Sequence, residues 1–410
     1  MTLTGTGRGP RRAGDGRREA NTAAVLRTVL DGGPVARGAI ARLSGLSPAA
    51  VSRQSTELLR LGLLRELPGL AAPAGAGRPQ VPLDLHTGDT SGPVAGALHI
   101  GVPGSTLGVV DLRGRVLARH TLRHDGLGTD EVPAMAAAAL RELLAGSAGG
   151  RPVLGAGAAI GRWVRPAEGV VVRHDALGWY DRPLAAELAG RLELPVRLDN
   201  HARAVAQSEI LFGRPEARRS LVHLFVGNVV DAAFGIAGVI HQGPGAGAGD
   251  VAHLPVPGSR TPCACGRTGC LGATASDTAV AAEAVRRGIL PRPDAAALTA
   301  AATDGDAGAR ELLRERARAV GRALALLIDV VNPDLAVVTE QACLADPEYL
   351  EEVRGQALAH SRVCEDPERI VTPHAGPDVL AVASATVLLH PLFADPTGYA
   401  LPALSPLPPC

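Results

Sequence analysis

The sequence predicts an α/β protein in which a small winged helix-turn-helix precedes a larger two-lobed body carrying a metal loop. Three observations predict it. Apolar residues recur at helical spacing in three short segments before residue 62, short strands and helices alternate from Pro93 onward, and His253 precedes Cys263, Cys265 and Cys270 in a Gly-rich loop.

Residues 1–18 are rich in Gly and Arg with no apolar core behind the charges, which predicts a disordered basic arm and neither a signal peptide nor an anchor. Residues 19–90 form the predicted head. From Asn21 to Asp31, Val25, Leu26, Val29 and Leu30 share one helical face, and Gly32-Gly33-Pro34 stops the helix. A second helix, Arg37 to Leu43, points Ile40 and Leu43 inward and ends at Gly45. Ser47-Pro48 then supplies an N-cap and a preset first turn for a third helix, Pro48 to Leu61, which buries Val51 and Leu58. Its first turns are expected to present Ser47, Ala49, Ala50, Ser52, Arg53 and Gln54. Small side chains allow close approach to a DNA groove, and Arg53 and Gln54 can reach base edges or phosphates. Ser55 is the weak point, a polar residue where an apolar one is expected. Extended stretches at Leu63–Leu67 and Val81–Leu85 around Gly69–Pro79 read as a wing whose Gly77-Arg78-Pro79 tip could lay Arg78 in a minor groove. A three-helix protein-interaction module with a linker is the competing reading.

The body is expected over residues 93–392, followed by a Pro-rich tail at 393–410. Ala95–Ile100, Ser105–Asp111 and Arg115–Leu122 read as strands, with a turn at Leu112-Arg113-Gly114; the helix Val132–Leu144 and the strand Arg151–Ile160 follow. Further on come the strand Pro195–Leu198, the helix His201–Leu211 and the strand Ser220–Val226. A long amphipathic helix, Ala307–Val331, precedes a buried strand, Leu335–Val338.

In the metal loop, three thiolates and an imidazole fill the four tetrahedral positions zinc prefers, so the reading is structural Zn2+ with no open position for an activated water. Gly266 and Gly269 let the chain fold back so that Cys270 reaches the ion held by Cys263 and Cys265. Unrelated buried thiols are the alternative. A disulfide fits less well, because Cys263 and Cys265 are too close in sequence to pair comfortably. Cys343, Cys364 and Cys410 fall outside this set and read as ordinary thiols.

With 410 residues the chain can hold two or three cores, and at 2% aromatic content they must be built from Ala, Val, Leu and Ile. The 41 basic residues, all Arg, balance 41 acidic ones. The balance hides an asymmetry: residues 1–90 carry 12 Arg against 7 acids, so a basic head sits on an acidic body. No apolar run is read as long enough to span a bilayer, so a cytoplasmic protein without a membrane partner is expected, a setting that suits reduced cysteines.

Over Asn21 to about Leu392 the chain resembles the ROK family of repressors, open-reading-frame proteins and sugar kinases, and within it the regulators with an N-terminal winged helix. The resemblance is carried by Leu46-Ser47 to Leu64 with Gly77-Arg78-Pro79, Gly178-Trp179, Asp199-Asn200-His201-Ala202-Arg203-Ala204, Ala248 to His253, Cys263 to Leu271, and Asn332-Pro333. It implies an actin-like, ribonuclease-H-like two-lobed ATPase-type fold, a homodimer or homotetramer, a double-stranded DNA operator, and a sugar or sugar-phosphate effector between the lobes. Arg162, Asn200, His201, Asp250 and His253 are the expected effector-binding residues. Asp250 is one methylene shorter than the family's usual Glu, the Pro-Gly turn reads Gly161-Arg162, and the Glu two residues after the last zinc cysteine is Gly272. An Arg at the pocket turn suggests an anionic ligand, unless Arg162 points to solvent or pairs with an acid.

A sugar kinase is the alternative, and four places resemble its ATP machinery with the wrong residues. The base expected after Asn200 is His201, and the first phosphate turn reads His99-Ile100-Gly101-Val102-Pro103. The second reads Gly227-Asn228-Val229-Val230-Asp231-Ala232, and Thr339-Glu340-Gln341 replaces the adenosine-side glycines. Without a carboxylate base and open backbone amides for phosphate, phosphoryl transfer lacks its parts. No catalytic residues are therefore expected. The sequence supports a sugar-sensing transcriptional regulator, a repressor by family habit.

Overall fold

The computed structural model describes residues 13–70, 81–88 and 91–398. The predicted wing tip with Arg78, most of the Pro-rich tail with Cys410, and residues 1–12 of the arm lie outside them. Residues 13–18 do not belong to a disordered arm. They form the first turns of helix α1 (Ala13–Gly32), because Arg17, Arg18, Glu19 and Ala20 are good helix formers that extend it backward despite two glycines.

In the head, α1 packs on α2 (Arg37–Ser44) and α3 (Pro48–Arg60), followed by a small antiparallel sheet. Strand β3 (Pro82–Leu85) runs between β1 (Val35–Ala36) and β2 (Leu64–Glu66), with Leu64 opposite Leu85 and Val35 opposite Leu83. Gly45 closes α2 in the left-handed conformation, and the Ser47 hydroxyl caps α3 by accepting from the Ala50 N–H. Ile40 is buried as expected. Leu43, in the last turn of α2, is 68% exposed, against the expectation that it points inward.

The first lobe of the body has β4 (Val94–Ile100), β5 (Gly104–Asp111), β6 (Val116–Arg123), α4 (Val132–Ser147) and β7 (Val153–Ile160). A three-stranded ribbon follows, β8 (Trp163–Arg165), β9 (Val170–His174) and β10 (Trp179–Arg182). Then come α5 (Leu184–Leu192), β11 (Val196–Asn200) and α6 (His201–Phe212). The main sheet runs β11-β7-β4-β5-β6, and β7 is parallel to both its neighbours.

The second lobe has β12 (Ser220–Val226), β13 (Val230–Ile236), β14 (Val239–Ile240) and the metal loop. After these come α7 (Leu271–Ala275), α8 (Asp277–Arg286), α9 (Ala295–Thr303), α10 (Ala307–Val331), β15 (Leu335–Glu340), α11 (Gln341–Ala345), α12 (Pro347–His360), β16 (Ile370–Val371) and α13 (Val379–Ala394). Its sheet runs β14-β13-β12-β15-β16.

Helices α6 and α13 pack on each other, and each also packs on strands. α13 lies on β4, β5 and β7, and α6 touches β12 and β13. The approach of α13 is so close that a Cβ on Gly157 would collide with the Ser384 carbonyl, so only glycine serves there. With the turn before it, α13 forms the 19-residue helical stretch Gly376–Ala394, long and apolar enough in length and composition to cross a bilayer. This corrects the expectation that no apolar run reaches that length; Asp378, His390 and Pro391 break the run in sequence. Here that apolarity serves the interior: α13 crosses back to the first lobe, and Leu388, Leu389 and Leu392 are fully buried in the cluster that the head shares with the first lobe's sheet.

The head is continuous with this core. Val25, Leu26, Val29, Ile40, Val51 and Leu58 join one apolar cluster with Leu112, Leu154, Leu389 and Phe393. Polar ties reinforce the junction. Arg113 donates to the Leu30 carbonyl at 3.1 Å and pairs with Asp84; Arg27 donates to the Ile210 carbonyl at 3.1 Å; and Arg218 pairs with Asp31 through two contacts of 2.8 and 2.9 Å.

Candidate functional site

The ends of β7 and β11, the β12–β13 hairpin, the glycine-rich segment after β14 and the metal loop surround a cleft of about 1260 Å³. Arg162, Trp163, Asn200, Asp231, Asp250 and His253 are among its lining residues. The Gly-rich segment Gly243 to Gly249 supplies one wall, and the Trp163 indole N–H holds it by donating to the Gly245 carbonyl at 2.7 Å.

At the floor, Asp231 is the hub. Its Oδ2 accepts from the Arg162 backbone N–H at 2.8 Å and from Asn200 Nδ2 at 3.1 Å, and His201 Nε2 lies 3.0 Å away. Asn200 Nδ2 also donates to the Arg162 carbonyl at 2.7 Å, while Asn200 Oδ1 caps α6 by accepting from the N–H groups of Ala202 and Arg203. Burial alone would raise the Asp231 carboxyl. Contact with His201 and the Arg162 N–H outweighs it and brings the group down to about 2, a stable anion. Behind it, His201 stacks on Phe225 with ring centroids 3.8 Å apart, and His99 Nε2 sits 3.3 Å from His201 Nδ1. Burial lowers His99 to about 3, so that ring is neutral at physiological pH.

Two expected effector residues therefore have other work. His201 lies beneath the cleft floor, only 2% exposed and outside the lining, because Asp231 and Phe225 claim both its edge and its face. Asn200 reaches the lining with its side-chain amide already engaged by Asp231, Arg162 and α6. Arg162, Asp250 and His253 do line the cleft, and Asp250 is exposed there. The residues not foreseen are Asp231, Trp163 and Arg203. Arg203 was legible in part as the i+4 partner of Asp199, which it meets at 2.7 Å while also donating to the Val164 and Ala246 carbonyls. Asp231 was hidden in a stretch read only as an obstructed phosphate turn.

One wall is the metal loop. His253, Cys263, Cys265 and Cys270 bring their donor atoms within 4.8 Å of one another. Cys263 Sγ is 3.6 Å from His253 Nδ1, and Cys265 Sγ is 3.6 Å from Cys270 Sγ. A tetrahedral ion with bonds of about 2–2.3 Å separates its ligand atoms by roughly 3.5–3.8 Å, so this set fits a metal ion. The fold-back comes from Gly266 and Gly269, both at positive φ, with the Cys263 N–H donating to Arg267 O and the Gly266 N–H to Cys263 O. Arg267 lowers the Cys265 thiol to about 6, whereas burial raises Cys270 to about 11. His253 turns Nδ1 to the thiols and lines the cleft, which leaves Nε2 for a ligand hydroxyl.

On the head, α3 exposes Ser47, Ala49, Ser52 and Arg53 as expected. Ala50 and Gln54 are not exposed. They are 7% and 4% accessible, and Gln54 Oε1 accepts from the Thr22 hydroxyl at 2.8 Å inside the α1–α3 contact. Helical arithmetic explains the error: Ala50, Val51, Gln54, Ser55 and Leu58 form one stripe, and the polarity of Gln54 disguised its membership. The free face continues instead to Thr56 and Arg60. Ser55 is fully buried and its hydroxyl has no partner among the described residues, the strain its polarity foretold.

The pattern of the ROK family matches residues 95–387. The chain belongs to the ROK family. A transcriptional regulator of Mycobacterium tuberculosis is 36% identical to this ROK protein over 93% of its chain and 87% of the relative. A xylose repressor of Caldicellulosiruptor bescii is 26% identical over 82% of the chain and 87% of the repressor. Among solved structures, a ROK transcriptional regulator homologous to the E. coli MLC protein superposes with a TM-score of 0.72 at 22% identity, covering 93% of this chain and 98% of its own. A ROK glucokinase of Streptomyces griseus, solved with glucose and AMPPNP, reaches 0.62 at 23% identity and covers 71% of this chain and 98% of its own. The kinase-type likeness thus extends over the α/β body, whereas the relatives that span nearly the whole chain are transcriptional regulators. By that relationship this ROK protein is a transcriptional regulator.

Proposed function

We propose that the protein binds a double-stranded DNA operator through the winged head, as a homodimer or homotetramer in the cytoplasm, and senses a sugar or sugar-derived effector in the cleft without phosphorylating it. Repression is the expected sense. Ser47, Ala49, Ser52 and Arg53 would face the major groove, two such helices meeting successive turns of a palindrome. Arg78 is proposed for the wing. The ion in the Cys/His loop is proposed to be structural Zn2+, with three thiolates and one imidazole completing its shell.

The observation that carries this reading is the continuity between cleft and head. Helix α6 starts at the cleft floor, where Asn200 caps it, and after 12 residues ends at Ile210–Phe212. There Arg27 and Arg218 both donate to the Ile210 carbonyl, and Arg218 clasps Asp31 of α1. A helix of that length spans about 18 Å, so a shift at Asp231 is delivered to the head as rigid motion. An effector that prefers one lobe arrangement would then change the spacing of paired heads, and operator affinity with it.

Loss of kinase chemistry is supported by the same floor. His99 and His201 stand where acids are expected, and Asp231 is committed to three partners. Arg316, fully buried, ties Val226 O and Asp277 to Glu340, which lies 2.8 Å from Nη1, filling the gap between the two remaining phosphate and adenosine places with an internal ion pair.

Sequencing of the genomic DNA retained by purified protein, with and without candidate sugars, tests the regulator reading. Enrichment of a palindrome that a sugar abolishes or strengthens is the expected result. A coupled assay showing ATP turnover only when sugar is present would overturn the non-enzyme part.

A further inference from the structure

Residue 162 has a left-handed backbone, φ 68°, which costs a non-glycine residue about 1–2 kcal/mol. The turn is pinned on every side. The Arg162 N–H is held by Asp231 and its carbonyl by Asn200, and a Cβ at Gly161 would collide with Val229 and press on His201.

Three arginines line this cleft, and two are already neutralised. Arg203 is spent on Asp199 and two carbonyls. Arg173 pairs with Asp175 at 2.8 Å, and Tyr180 donates to the same carboxylate oxygen at 3.1 Å. The Arg162 guanidinium has no hydrogen-bond or ion-pair partner among the described residues; its charge is felt by Asp231 and Asp175, but the hydrogen bonds of those carboxylates go to other groups, including the Arg162 backbone N–H. A partly buried cation with five unspent donors, lining a walled cleft, is complementary to an oxyanion.

We infer that the cleft takes an anionic sugar derivative, a sugar phosphate or a sugar acid, whose phosphate or carboxylate is bound by Arg162 while Asp250 and His253 Nε2 accept or donate to its hydroxyls. The inference rests on the sugar-sensing reading above and narrows it to a charge class. It also assigns Arg162 a specificity role that a neutral sugar would not need.

The test is titration calorimetry on the full, zinc-loaded chain with matched sets: glucose, glucose 6-phosphate and glucuronate; N-acetylglucosamine and its 6-phosphate; xylose and xylonate. The expected result is that one anionic member binds at least tenfold tighter than its neutral parent, the phosphate and carboxylate arms deciding which oxyanion is read. Arg162→Gly should erase that margin, whatever it does to the affinity of the neutral parent. Glycine suits the positive φ, so this variant should fold at least as well as the parent, and Arg162→Lys should restore part of the margin. Equal binding of charged and neutral members, or a margin that survives Arg162→Gly, would overturn the inference while leaving the sugar-sensing reading intact. Binding of no member, charged or neutral, would overturn both.

Discussion

The metal loop and the Asp231 centre face each other across one cleft, yet they are built in opposite ways. The loop gathers four donors from 18 consecutive residues, His253 to Cys270, using turns that depend on local glycines. The Asp231 centre gathers His99, Arg162, Asn200, His201 and Asp231 from the ends of β4, β7, β11 and the start of β13, and no two except Asn200 and His201 are neighbours in sequence. The difference teaches where stability resides. The loop is held by short-range backbone contacts, the bridges Pro255 to Cys270 and Pro262 to Thr268 among them, and its four donors would be drawn together by the proposed ion. The floor is a buried network of side chains from distant segments, held by the fold itself.

Breaking each centre separately should show this. The largest effect is expected at the loop. Cys270→Ser removes a buried ligand and should abolish stoichiometric zinc, measured by atomic emission on purified protein, and lower the thermal midpoint by several degrees, because binding energy of the ion is folding energy. Full zinc content in this variant would exclude Cys270 as a ligand. Asp231→Ala should act differently: zinc content stays, while stability falls by roughly 3–5 kcal/mol because Asn200, the Arg162 N–H and His201 lose a shared buried acceptor. Denaturant titration with zinc measured in parallel separates the two, and joint loss of both would show that the centres are one unit.

Acid should reach the floor before it reaches the loop's architecture. Burial lowers His99 to about 3, His174 to about 4 and His223 to about 3, against an ordinary value near 6.5 in the unfolded chain. Each therefore binds a proton when unfolded and not when folded, so stability is full above pH 7.5 and falls as pH drops through 6.5 toward 4. The loss is on the order of 1–2 kcal/mol per histidine by pH 5. Asp231, with its folded value depressed to about 2, works in a lower window: its contribution holds above about pH 4 and is lost as pH falls toward 2. Urea midpoints measured from pH 8 to 5 should decline steadily, and a flat profile would mean that these rings are not buried neutral.

The same contrast explains what could be read in advance. Four ligands with short spacing announce a metal loop, because a loop's geometry is set by nearby residues. The third helix with its Ser47 cap was visible for the same reason, and so was the long helix ending at Asn332. The three-stranded ribbon from Trp163 to Arg182, α12 and α13 were not read. The ribbon strands are only three to five residues long, and α13 is apolar on all sides and lacks the amphipathic signature. Asp231 was invisible as a hub because its partners lie 30 to 69 residues away, on segments that follow β7 and end β11 of the other sheet.

The head offers the finest version of the comparison, between two adjacent residues on one helix. Arg53 is exposed on α3, while Gln54 is buried and holds Thr22 of α1. Gln54→Ala should cost about 1 kcal/mol of stability, through a lost buried hydrogen bond, and affect DNA retention only as far as it loosens the α1–α3 contact. Arg53→Ala should leave stability within about 0.5 kcal/mol and weaken specific operator retention by roughly 1–3 kcal/mol. Measured together by denaturant titration and binding to the enriched operator, the pair should give opposite patterns. If Gln54→Ala proves the more damaging to binding in a protein of unchanged stability, α3 meets DNA through a face other than the one that Ser47, Ala49, Ser52 and Arg53 present, and the proposed docking geometry must be rotated by about one residue, 100° around the helix axis.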